Sequence, residues 1–113
     1  MQCMNFNYRL TIVRKMEDES LDDTCFAYDT KAPLYALARA AATLPYVVQT
    51  KIAAVNEGMK TVHEIYKLFP RGALDNTTIR YNDIFCDELR HAFNCDVLFK
   101  KLNDARHAFL NAQ

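Results

Sequence analysis

The sequence predicts an α+β domain dominated by helix: a β-hairpin from the first 29 residues, packed on a bundle of about four helices. Three observations carry this. Asn5 to Lys15 alternates apolar and polar residues, the period of a half-buried strand. Between Ala32 and Phe69, Leu34, Leu37, Ala41, Leu44, Val48, Ile52, Val55, Met59, Val62, Tyr66 and Phe69 recur at spacings of three and four. That is the period of one face of a helix. Finally, only two glycines occur in 113 residues, Gly58 and Gly72. An all-β sandwich or barrel needs more, because tight turns call on residues that tolerate positive φ.

In chain order, Phe6, Tyr8, Leu10 and Ile12 share one face of the first strand, with Asn7, Arg9 and Thr11 on the other. Met16 to Asp23 is acidic and aperiodic and reads as an exposed loop. Thr24 to Asp29 is a shorter extended segment with Phe26 and Tyr28 on one face, placed to pair back on the first. Asp29 or Thr30 is a suitable cap for the next helix, with Pro33 in its first turn, where a missing N–H costs nothing. Leu34 to Leu44 is rich in alanine and leucine, strong helix formers, with Arg39 its only charge.

Pro45 has two readings of equal weight. It opens a new helix capped by Thr43, or it kinks one long helix whose apolar phase carries through. Either way the pattern reads as helix to Phe69, where Pro70 and Arg71-Gly72 make an exit. Glu57, Lys60, Glu64 and Lys67 dress its outer face. Gly58 falls inside it at a cost of about 1 kcal/mol against alanine. Beyond a turn at Ala73 to Asn76, Thr77 to Tyr81 suggests a short third strand. Asn82 caps a helix to about Phe93, Asn94 stops it, and a last helix starts near Asp96 with Leu98, Leu102, Ala105 and Phe109 inward.

The length fits one domain over residues 1–113. Net charge is zero, so no global field favours nucleic acid or membrane. Locally, residues 1–29 hold six acids against three bases. With two glycines, neither a phosphate-cradling loop nor a dinucleotide fingerprint can be built, and no cofactor is indicated. The longest uncharged run, Ala40 to Thr50, is too short to span a membrane. Met1-Gln-Cys-Met-Asn lacks the basic start and apolar run of a secretory signal. The sequence therefore predicts a cytoplasmic setting with Cys3, Cys25, Cys86 and Cys95 reduced.

Each constellation with chemical potential has a plainer explanation. Cys86, His91 and Cys95 lie close, but none of the tight cysteine pairs usual in structural zinc sites occurs. Cys86 with His91 is too loose a pairing to define a nucleophile. The Glu17 to Asp23 loop lacks the ligand spacing of a calcium loop. Asp87 with His91, and Asp104 with His107, are ordinary pairs along a helix surface. No catalytic or metal-binding residue is assigned.

What remains is a small interaction module (an inhibitor, adaptor or assembly factor) that binds a protein partner or itself as a homo-oligomer. An unbroken helix over the stripe would run about 55 Å, long for a domain whose radius of gyration is about 13 Å. Its surplus apolar surface would then meet a partner through Val48, Ile52, Val55, Met59, Val62, Tyr66 and Phe69. A second reading is a nucleic-acid-associated regulator using Arg80, Lys100, Lys101 and Arg106, whose basic footprint Asp96 and Asp104 dilute. A third is an enzyme or small-ligand binder with a pocket between subunits.

Overall fold

The computed structural model describes residues 6–70 and 82–111. Its elements are β1 (Tyr8–Lys15), β2 (Leu21–Tyr28), α1 (Ala32–Ala41), β3 (Val47–Val55), β4 (Thr61–Leu68), α2 (Asn82–Phe93) and α3 (Asp96–Asn111). The strands form one antiparallel sheet in the order β2-β1-β3-β4. The fold is α+β with strand and helix in similar measure. It is not a hairpin on a bundle of four helices.

The first hairpin forms as its pattern predicts, but Leu21, Asp22 and Asp23, expected in the loop, belong to β2, where they pair with Lys15, Arg14 and Val13. β1 pairs with β2 from Tyr8 opposite Tyr28 to Lys15 opposite Leu21. Leu10 and Ile12 are fully buried on the face that also carries Phe26. A two-stranded ribbon is marginal alone. Here β1 has a second partner: β3 runs along its other edge, with Leu10 opposite Ile52 and Ile12 opposite Thr50. The helices cover this same face, since Leu10, Ile12, Phe26 and Ile52 share one core with Leu34, Leu37, Phe85, Leu89, Phe99 and Leu102.

α1 starts with Pro33 in its first turn, but Lys31, without a side-chain capping bond, occupies the cap position. Neither Asp29 nor Thr30 does. The helix ends at Ala41, so Pro45 neither kinks a long helix nor opens a second one. It lies in the short connection to β3.

The main correction concerns residues 46–69, where the stripe is a β-hairpin. β3 and β4 pair antiparallel from Thr50 opposite Leu68 to Val55 opposite Thr61. Asn56 makes the turn, its Oδ1 accepting from the N–H groups of Gly58 and Lys60 at 3.0 Å each. Such local side-chain bonding is what makes asparagine a turn former. Three bulges underlie the misleading spacing, and the first leaves Val48 as an extra residue on β3 between Gln49, opposite Val13, and Val47, opposite Arg14. Ile65 is an extra residue between the pairs Ile52–Tyr66 and Ala53–Glu64, and Val62 is another between Ala54–His63 and Val55–Thr61. Each inserts one residue into a period of two, so positions on one side recur after three. Valine, threonine and isoleucine are also dense here, and they favour the pleated surface.

Gly58 is therefore a turn residue, and its backbone does not lie at positive φ. A Cβ there would meet only Asn56 Oδ1, at an ordinary 3.6 Å. Gly58→Ala is expected to raise the unfolding free energy by about 0.5 kcal/mol, through a less flexible unfolded chain. Urea titration checks this.

The C-terminal helices stand where the sequence places them. Asn94 separates them with φ 56, a left-handed conformation that asparagine tolerates. Phe99, Leu102, Ala105 and Phe109 are the buried stripe of α3. The suggested strand at Thr77 to Tyr81 and the turn at Ala73 to Asn76 lie outside the described residues. Among the described residues no helix is long and apolar enough to cross a membrane.

Candidate functional site

β4 closes one side of the sheet. Among the described residues it pairs with β3 alone, and among them its outer edge presents unpaired backbone donors and acceptors, the usual template for a further strand. Helix cover thins out here as well. Tyr35 of α1 reaches it in an edge-to-face contact with Tyr66 at 5.3 Å, and Ile65 and Tyr66 pack against the core. Beyond them the strand is open. Val62 is 63% exposed and Phe69, just past its end, 64%, with Leu68 also exposed. The opposite border differs, because α3 packs along β2.

Facing along β4 follows from the register. Glu64 lies opposite Ala53 and Lys67 opposite Lys51, both on the face turned away from the helices. His63 and Leu68 lie on the helix side, opposite Ala54 and Thr50. Glu64 and Lys67 share a face, although three residues apart, because the bulge at Ile65 shifts the phase. Lys67 also stands across from a like charge in its own sheet, an unfavourable arrangement, with its Nζ 5.4 Å from the centre of the Phe69 ring.

The seven predicted interface residues separate. Ile52 and Val55 are buried within β3, and Val48 is half-buried on that strand. Met59 lies in the turn at φ 61, its carbonyl accepting from Arg9 at 2.8 Å. Val62 and Tyr66 lie on β4 and Phe69 just past its end. The basic residues do not share one face. Lys100 is paired with Asp104 at 3.0 Å and Lys101 is exposed. Arg106 turns inward, its guanidinium 5.7 Å from the centre of the Phe26 ring. Arg80 lies outside the described residues. Among the described residues no three potential metal ligands gather. Cys25 is half-buried, and Cys86 and Cys95 are exposed.

One feature was readable in the sequence and missed. Arg14 continues the Leu10–Ile12 row of β1 and is 1% exposed. Its guanidinium lies 4.5 Å from the centre of the Phe85 ring of α2 and 3.3 Å from Asp22 of β2. Burial holds its pKa below the usual arginine value, with Asp22 acting the other way. Nearby, the Tyr46 hydroxyl donates to Glu88 of α2 at 2.7 Å. Burial, then this bond, raises the pKa of that hydroxyl. The folded state thus holds the proton more tightly than the unfolded chain. The stabilising contribution is whole below the ordinary tyrosine value of about 10 and is lost as pH rises above it. Tyr46→Phe is expected to cost about 1 kcal/mol at neutral pH and to flatten the alkaline decline. Denaturant titrations at several pH values check both.

No protein-family model matches the chain, and no curated protein or solved structure matches it.

Proposed function

We propose that this chain is a small intracellular protein-interaction module that docks its partner along β4. The observation that carries the reading is the conjunction of an outer edge unpaired among the described residues with the exposed apolar side chains Val62 and Leu68 on β4 and Phe69 just past its end. Strand addition suits such an edge. Backbone hydrogen bonds supply affinity, and the flanking side chains supply specificity. The bulges and the charges of Glu64 and Lys67 suit a selective edge, since both devices suppress indiscriminate strand pairing.

Site-specific photo-crosslinking tests this in cells producing the chain. Crosslinkers at Val62 and Phe69 are expected to give discrete protein adducts. One at Val97, equally apolar and exposed but on α3, is expected to give none. Equal labelling at Val97, or no adduct on β4, would overturn the proposal.

A further inference from the structure

Resting on that reading, we infer that the partner of β4 is a second copy of this chain, paired antiparallel about a two-fold axis between Ile65 and Tyr66. Side chains directly opposite in an antiparallel pair lie on the same face of the sheet, and this test selects among registers. In an unbroken strand, residues 64 and 67 would point to opposite faces and could not meet across a two-fold. The bulge at Ile65 puts both on the face away from the helices. Ile65 and Tyr66 both lean to the core side, where they pack.

The axis between Ile65 and Tyr66 therefore matches faces at every central position. Glu64 meets Lys67 of the second copy, Ile65 meets its Tyr66, and His63 meets its Leu68. Sliding by one residue sets Glu64 against Tyr66 or Leu68, which lie on the other face. Registers centred on Glu64 or Lys67 set like charges in direct opposition, which is destabilising.

Charge and apolar surface agree with this register. Two Glu64–Lys67 pairs form by symmetry, and each supplies an acid to a lysine that now stands opposite Lys51. Val62 meets Phe69 of the second copy twice, bringing together side chains 63% and 64% exposed in the single chain. The product is a continuous eight-stranded sheet with both β4 edges satisfied.

The test is sedimentation equilibrium of the purified full chain and three variants: Glu64→Lys, Lys67→Glu and the double swap. The wild type is expected to dimerise reversibly. Each single reversal sets two like-charged pairs across the axis and is expected to weaken dimerisation roughly tenfold or more. The double swap restores opposite charges and is expected to recover dimerisation to near the wild-type level. These residues are exposed, and unchanged circular dichroism marks the variants as folded. A wild type that stays monomeric up to on the order of 100 μM, or a dimer indifferent to the reversals, overturns the inference. β4 adducts made only of other proteins in the crosslinking experiment would also overturn it, while leaving the interaction proposal standing.

Discussion

Ile52→Ala is expected to lower the unfolding free energy by about 3 kcal/mol, within the range for deleting a large buried aliphatic side chain. Ile52 is 0% exposed and sits mid-sheet, with Leu10 opposite on one side and Tyr66 on the other. Truncation leaves a hole bordered by both strands and by the helix layer, where little can collapse into it. Against a total stability on the order of 5–15 kcal/mol for a domain, this is a large fraction. Val48→Ala is expected to cost less than half as much, because Val48 is only half-buried. A helical stripe would make Val48 and Ile52 equivalent. Equal losses in urea titration would contradict the sheet.

Arg14→Ala is expected to cost about 2–3 kcal/mol, most of it lost packing. The aliphatic stem lies in the core, and the guanidinium covers Phe85, so truncation opens space beneath α2. Loss of the pair with Asp22 adds little, since the Asp22 side chain is 49% exposed and stays hydrated. Arg14→Met keeps the length and removes the charge, and is expected to recover most of the loss. Apolar replacements of buried ionic groups are often neutral or stabilising. If methionine costs as much as alanine, the charge rather than the packing is what Arg14 contributes.

Much of the architecture was legible where a single period governs a segment. The alternation of Phe6, Tyr8, Leu10 and Ile12 marks β1, and its next member in phase is Arg14, whose charge disguised its burial. Asn82 and Asn94 bracket α2, and Leu102, Ala105 and Phe109 mark α3, whose fourth buried residue is Phe99 and not the expected Leu98. Illegible was the hairpin of β3 and β4, because bulges at Val48, Val62 and Ile65 and the turn at Asn56 broke a period of two into threes and fours. The β-branched residues Val47, Val48, Thr50, Ile52 and Val55 were the available signal, and periodicity outweighed them.

The candidate site was legible only in fragments. Val62, Tyr66 and Phe69 were singled out as one face of a helix, but Val62 is a bulge residue of β4, Tyr66 packs on the core and Phe69 follows the end of the strand. Glu64 and Lys67 read as a solvated helix pair. Their shared face depends on the bulge at Ile65, and no local sequence rule announces a bulge. That β4 has one strand partner among the described residues arises from the strand order, a long-range property of the fold.

Whether β4 pairs with a second copy of the chain is decided by backbone amide hydrogen exchange of the purified chain over a range of concentrations. The expected result is protection that grows with concentration and is confined to residues 61–69, with α3 unchanged. Exchange along β4 that ignores concentration, or concentration-dependent protection on α3 instead, would contradict the pairing of two copies through this edge.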